Sequence, residues 1–307
     1  MNGEFVAELR RLGAVRLNEP LSRHVTFGVG GPADVFFTAK REDQLRLAYT
    51  AARDHGVPVF VFGAGSNILV GDGGVRGLCI ENRNNRIEGP HQNGAGFRVR
   101  VGSGVSLAAL ARRLSGAGFA GMEWACGIPG SVGGAVVSNA GAYGSSLADV
   151  LKSVRLVDER GEVIELSGAE LALSYRSSAL AAGALPGRIV LSADLGLTKG
   201  DRGALRDRLR ELDAQRRAAQ PRGRNCGSVF KNPPGEHGAW WYVDQVGLRG
   251  YRIGNAQFSD LHTNFIINLG NATAAEIRSL IELAQARVRE QFGVALETEV
   301  VMVGEFR

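Results

Sequence analysis

Apolar positions along the chain fall alternately into helical and strand spacing. Residues 1–12 mix acidic, basic and apolar side chains at helical intervals, and a turn-rich stretch follows over 18–31. Residues 34–39 read as a strand and 42–55 as a helix with Leu45, Ala48, Ala51 and Ala52 inward. The β-rich run 57–62 closes on Gly63-Ala64-Gly65, further strands are predicted over 78–81 and 97–101, and Ser106 opens a capped helix over 106–118. Residues 153–158 and 162–166, joined through Glu159-Arg160-Gly161, read as a hairpin, and 188–197 as another strand.

Leu205, Leu209 and Leu212 then place one apolar stripe on a charged helix over 201–219, and a Pro/Gly-rich stretch over 220–235 follows it. This composition change puts a domain boundary near residue 200. Beyond it the pattern predicts a helix over 239–246, a strand over 264–269, a long helix opened by the capping box Thr273-Ala274-Ala275-Glu276, and a last strand over 296–303. The reading is α+β: a helical segment over 1–20, a first domain over 21–200 and a smaller one over 201–307.

Composition narrows the function. With 307 residues, 44% hydrophobic and 22% charged, the chain can bury more than one core. Its longest apolar runs are strand-sized, short of the roughly 20 residues that span a bilayer, and the N-terminus has neither a signal core nor a transit pattern, so a cytoplasmic protein is expected. Cys79, Cys126 and Cys226 are odd in number and far apart, which predicts reduced thiols, and the five histidines show no ligand spacing, so no metal is expected. The net charge is +5, and eight of the arginines lie between Arg202 and Arg224. Interrupting acidic residues make that segment first a solvated helix face. Its basic end, including Arg216 and Arg217, is also suited to nucleotide phosphate.

Forty-three glycines cluster in a few places, notably Gly63-Ala64-Gly65-Ser66-Asn67 and Gly127-Ile128-Pro129-Gly130-Ser131-Val132-Gly133-Gly134-Ala135. Such loops let backbone N–H groups converge on a diphosphate, or they merely turn the chain. The first cluster fails the dinucleotide fingerprint, having Ile68 where a glycine belongs, and no Gly-Lys-Ser/Thr occurs. Further along stand Asn139-Ala140-Gly141-Ala142-Tyr143-Gly144, Ser174-Tyr175-Arg176-Ser177-Ser178, Gly227-Ser228-Val229-Phe230-Lys231-Asn232-Pro233, Trp241-Tyr242-Val243-Asp244-Gln245, His262-Thr263-Asn264-Phe265 and Leu296-Glu297-Thr298-Glu299-Val300. Taken in order, these segments resemble the UDP-N-acetylenolpyruvoylglucosamine reductase family, in its shorter form.

The resemblance implies a two-lobed FAD-binding domain of the vanillyl-alcohol-oxidase type, followed by a substrate-binding domain. It implies non-covalent FAD held by Gly63, Ala64, Gly65, Ser66, Asn67, Gly127, Ile128, Pro129, Gly130, Gly133, Gly134, Asn139 and Gly141. It implies NADPH as hydride source and UDP-N-acetylglucosamine enolpyruvate as substrate, reduced to UDP-N-acetylmuramate for peptidoglycan precursors. Tyr143, Tyr175, Lys231, Asn232 and Gln245 would line the substrate or nicotinamide pocket, and the chain would act as a monomer without nucleic acid or membrane.

Saturating an enol ether that bears a carboxylate is a conjugate addition: hydride reaches the terminal vinyl carbon while negative charge grows on its neighbour and the carboxylate. By resemblance, Arg176 and Glu299 stabilise that enolate and Ser228 protonates it. A guanidinium suits the task because its planar fork meets two oxygens and stays charged. A hydroxyl in position can protonate so basic a carbon. Glu299 would help an anion only when protonated, which predicts a carboxyl held above its usual range. The sequence departs from the family pattern at Gly71, at Val301 and at Asn225-Cys226. Two other readings compete: another FAD oxidoreductase of the same cofactor fold, against which Arg176, Ser228 and Glu299 argue together, and a nucleic-acid-binding protein using the basic helix.

Overall fold

The computed structural model describes residues 3–306, with helices α1 (Gly3–Leu12), α2 (Glu42–Asp54), α3 (Leu107–Gly116), α4 (Val132–Ser138), α5 (Arg202–Ala219), α6 (Ala239–Gln245) and α7 (Ala274–Phe292). Short strands fill much of the remainder, as an α+β chain requires. Two units are distinguished. The first takes the chain up to Arg16, Phe36–Ala64 and Leu78–Arg216; the second takes Leu17–Val35, Gly65–Gly77 and the chain from Arg217.

In the first unit, α1 buries Phe5, Val6 and Leu9, and the Phe5 ring lies 5.5 Å from that of His55, just past α2. Each such apolar side chain contributes about 2 kcal/mol by leaving water. The predicted inward face of α2 is buried as expected: Leu45, Ala48, Ala51 and Ala52, with Tyr49. The chain returns through Val59–Phe62, which pairs in parallel with Val75–Asn82, from Val59↔Leu78 to Phe62↔Glu81.

An antiparallel sheet forms the rest of this unit, in the order Val163–Ser167, Leu151–Val157, Ile189–Lys199, Gly96–Gly102 and Ile87–Asn93. Strand alternation sends Ala193, Leu195 and Leu197 into one core with α3 and α4, and turns Ser192, Asp194 and Gly196 to the opposite face. Opposite Leu191 the register shifts by one residue, since Arg155 faces Ser192 while Leu156 faces Val190. Ser106 caps α3 as predicted, its Oγ accepting from Ala109 N. Among the elements missed are the strand Ile87–Asn93 and α4, which the glycine density disguised as loop.

The second unit packs α6 and α7 with a three-stranded antiparallel sheet, Arg252–Ile253, Ala256–Phe258 and Ile266–Asn268. The capping box at Thr273 and Glu276 is formed. A second cap comes from far away in sequence: the Asp72 carboxylate accepts from Ala274 N at 2.9 Å and Ala275 N at 3.0 Å, meeting the positive end of α7. The last strand is shorter than expected. Only Val301–Val303 pairs as strand, in parallel with Ile68–Val70; Leu296–Val300 runs instead beside the Ser228 segment through the single bridge Phe230↔Thr298. The strand expected over 264–269 is trimmed to Ile266–Asn268, because Asn264 and Phe265 turn out of the ladder.

Candidate active site

In the second unit, Ser228 and Glu299 are placed by one backbone arrangement. Glu299 N donates to Val229 O at 2.7 Å, and Lys231 N donates to Glu297 O at 2.9 Å, so the segment ending at Val300 lies alongside the Ser228 loop. The loop is held from its other side by Asn264, which is 3% exposed. Its Oδ1 accepts from Phe230 N at 2.9 Å, its Nδ2 donates to Phe230 O at 2.8 Å, and its carbonyl accepts from Val229 N at 2.9 Å. Asn264 stood in a recognised motif but carried no assigned role; a buried amide that satisfies both polar groups of one residue is visible only once the chain is folded.

Cys226 is buried, and burial pushes its thiol well above the ordinary range, with the neighbouring Glu299 adding to the effect. It is a packing residue beside the site. Asn225 Oδ1 accepts from Gly227 N at 3.0 Å, so the unusual Asn225-Cys226 pair fixes the turn into Ser228. Among the predicted residues here, Asn67 donates from Nδ2 to Glu299 O at 3.0 Å, while Val301 N returns a bond to Asn67 O. Gly65 packs on Val25, and Ser66 is half-buried. Lys231 pairs with Glu297 at 3.3 Å, Asn232 Oδ1 accepts from Ala239 N at the start of α6, and Gln245 ends that helix, exposed.

In the first unit the two glycine-rich loops meet. A Cβ on Gly63 would overlap the Ser131 side chain, with Ser131 Cβ only 2.7 Å away, and Ser131 Oγ itself accepts from Gly134 N at 3.3 Å. Ala64 and Pro129 are exposed, whereas Ile128 packs on the core. Gly130 takes φ +134°, open only to glycine, and its carbonyl accepts from Leu107 N. Gly133 is a packing glycine, its missing Cβ 2.9 Å from Ser103 Cβ, while at Gly134 only Ser131 Oγ comes within 3.6 Å of that position.

Beside these loops, 137–141 and 174–178 are stitched together by three bonds. Asn139 Nδ2 donates to Ser174 O at 2.8 Å, Arg176 Nη2 to Gly141 O at 2.9 Å, and Ser178 Oγ to Val137 O at 2.6 Å. Asn139 Oδ1 also accepts from Ala148 N, so its amide orders the loops. Ala142 and Ser145 close a hairpin whose turn residues are Tyr143 and Gly144, and the Arg176 guanidinium lies 5.5 Å from the ring of Tyr175, which is largely exposed. Asn139, Tyr143 and Arg176 all have positive φ, at +43°, +55° and +51°. Bulky residues adopt that conformation at a cost of about 1 kcal/mol or more each, and such strain concentrates at functional sites.

Arg216 joins the same cluster. Its side chain lies against Gly127, Nε 3.3 Å from where a Cβ would stand. Burial lowers its pKa, opposed by Tyr143, Cys126 and Asp213. Tyr143 donates to Leu212 O at 3.2 Å, and a cavity of about 890 Å³ opens beside it, lined also by Trp124, Arg98 and Lys152. Elsewhere on α5, Arg208 pairs with Glu211 and Arg210 with Asp207, the behaviour of a solvated charged face. Among the described residues no group of three or more His, Cys, Asp or Glu could hold a metal ion, and no helix is long and apolar enough to cross a membrane.

Residues 33–167 match the family model described as FAD binding domain, and 219–303 match that of UDP-N-acetylenolpyruvoylglucosamine reductase, C-terminal domain. The chain is 39% identical to the UDP-N-acetylenolpyruvoylglucosamine reductase of Lachnoclostridium phytofermentans, covering 99% of each chain. It is 43% identical to that of a Caulobacter species, covering 95% of each. The chain belongs to the UDP-N-acetylenolpyruvoylglucosamine reductase family. The crystal structure of UDP-N-acetylenolpyruvylglucosamine reductase from Thermus caldophilus superposes with a TM-score of 0.77 at 34% identity, over 95% of this chain and 98% of that one.

Two departures from the reductase pattern have a structural account. Gly71 sits so close to the Glu305–Phe306 backbone that a side chain would collide with it. Val301 is half exposed, and its backbone rather than its side chain makes the ladder with Ile68–Val70.

Proposed function

We propose that this reductase saturates the enolpyruvyl group of UDP-N-acetylglucosamine enolpyruvate in peptidoglycan precursor synthesis, using FAD and NADPH. The residues present fit the flavin: the Gly63 loop and the Gly127–Gly134 stretch approach each other, and the open Cβ position at Gly134 leaves backbone accessible to a diphosphate. Gly63, Ala64, Gly65, Ser66, Asn67, Gly127, Ile128, Pro129, Gly130, Gly133, Gly134, Asn139 and Gly141 would hold it. When bound, the flavin relays hydride equivalents from NADPH to the substrate's vinyl carbon.

The chain's own residues do the rest. Arg176, held by Gly141 O through one nitrogen, offers its fork to the substrate carboxylate as negative charge grows there. Ser228 delivers its hydroxyl proton to the neighbouring carbon, and Glu299, in protonated form, hydrogen-bonds to the enolate. Tyr143, Tyr175, Lys231, Asn232 and Gln245 bind the nucleotide sugar or the nicotinamide, and Arg216 meets a nucleotide phosphate. The enzyme works in the cytoplasm, as a monomer.

The observation that carries the reading is the backbone pairing that sets Glu299 against the residue next to Ser228, a placement no packing requirement demands of a serine and a carboxyl. Anaerobic stopped-flow tests it. In Ser228→Ala, flavin reduction by NADPH keeps its wild-type rate, while reoxidation by UDP-N-acetylglucosamine enolpyruvate slows by about 10²-fold or more. Equal losses in the two half-reactions would remove Ser228 from the proton-delivery role.

A further inference from the structure

A second cavity, of about 730 Å³, lies within the first unit at the start of α2. It opens on the face of the antiparallel sheet opposite α3 and α4, where Ser192 and Arg100 stand, and none of the glycine-loop residues, Tyr143 or Arg176 lines it. Its charge is unbalanced: Lys40, Arg41, Arg46, Arg86, Arg100 and Arg155 face three carboxylates. Each of those carboxylates is already held, Glu42 by Arg155 at 2.8 Å, Asp43 by Arg41 at 3.0 Å and Glu88 by Arg86 at 2.5 Å. Arg100 is bound by Asp194 at 2.6 Å. Lys40 and Arg46 have no carboxylate partner among the described residues, so the surplus positive charge is theirs.

Two further features point to an anion. Helix α2, thirteen residues long, starts in this cavity, and its N-cap residue Arg41 supplies no side-chain cap; the Asp43 carboxylate accepts from the backbone of Asp43 and Gln44, so what the helix start brings to the space is its positive end. Independently, the Ser192 hydroxyl, in a residue 3% exposed, lines the cavity with no hydrogen-bond partner. Buried hydroxyls are almost always satisfied, so an orphan one facing such a space marks the place of an acceptor. The lining contains no aromatic side chain and Val163 is its one apolar member, so nothing there would stack on a nucleobase.

We propose that this cavity binds a compact non-nucleotide polyanion, a phosphate- or carboxylate-bearing metabolite, at a site separate from the flavin and substrate loops. Lys40 and Arg46 neutralise it beside the positive end of α2, and the Ser192 hydroxyl donates to one oxygen. Isothermal titration calorimetry of the FAD-loaded enzyme at fixed ionic strength, with inorganic pyrophosphate and with citrate, tests this and separates phosphate from carboxylate preference. Wild type takes up one equivalent of at least one probe with a Kd of about 1 mM or below. The pair Lys40→Ala/Arg46→Ala weakens it by about tenfold or more, Ser192→Ala by about threefold, and the equally charged control pair Arg98→Ala/Lys152→Ala by less than about twofold. Absence of heat from both probes up to about 10 mM, or equal weakening by the two double variants, would overturn the proposal. So would tighter binding of ADP than of pyrophosphate that depends on Lys40 and Arg46.

Discussion

Replacing Asn264 by alanine tests the idea that one buried amide positions the Ser228 loop. The side chain satisfies both Phe230 N and Phe230 O, and Phe230 is itself 1% exposed, so water does not readily replace the lost partners. A buried amide group left without a partner costs about 1–3 kcal/mol, so losing two partners, with some relaxation, costs about 2–5 kcal/mol. Chemical denaturation reads that directly, and for a chain of this size the corresponding fall in Tm is roughly 3–8 °C. The kinetic consequence is distinct. Val229 and Phe230 follow Ser228 immediately, so a loosened clamp lowers the rate of reoxidation by substrate by about tenfold or more while flavin reduction by NADPH changes little. Asn264→Asp keeps the acceptor for Phe230 N but turns a second oxygen toward Phe230 O, and therefore does not rescue. A loss below about 1 kcal/mol with both half-reactions intact would refute the reasoning, since the loop would then be held by its other contacts.

Other outcomes follow from the same geometry. Gly63→Ala drives a methyl into Ser131 and loses about 1–3 kcal/mol together with flavin affinity; Ser131→Gly in the same chain restores part of both, read by denaturation and by fluorescence of released flavin. Asp72→Ala uncaps α7 and costs about 1–2 kcal/mol in urea unfolding, whereas Asp72→Asn, which can still accept one bond, loses about half as much. Cys226 carries a pH signature: its folded pKa is raised, first by burial and then by Glu299, so its contribution to stability is full below the ordinary thiol pKa of about 8.5 and is eroded as pH rises beyond it. Unfolding free energy measured from pH 7.5 to 10 therefore declines, and Cys226→Ala flattens that decline. A Cys226→Ala profile parallel to wild type would show that other groups cause it.

Local signals were the legible ones. The inward face of α2, the Ser106 cap on α3 and the Thr273 capping box are each written within a few residues, and the structure forms all three. The strand expected over 296–303 was overextended, because alternation along Leu296–Val300 is compatible with a strand, but its partner is a loop that allows one bridge. Helix α4 was hidden because glycine density argues for a turn, while Ser131 capping and the buried Val132 and Val136 win locally. At the candidate site, motif order pointed to Ser228, Arg176 and Glu299 as reductase positions, but not to what holds them. The Asn264 clamp joins residues 34 apart, and no propensity places Tyr143 and Arg176 at positive φ. Those are tertiary decisions, imposed by packing and by the bonds to Leu212 O and Gly141 O.

The cap that Asp72 places on α7 reaches across 202 residues. A ribosome adding about 5–20 residues per second needs roughly 10–40 s between releasing the aspartate and releasing the helix it serves. Throughout that interval the strand Ile68–Val70 also waits for Val301–Val303, its buried Leu69 and Val70 still uncovered and its edge unpaired. The nascent protein thus carries an adhesive stretch for most of its synthesis, and its yield in the cell should depend on how well chaperones shield the early third of the polypeptide until the last turn of translation.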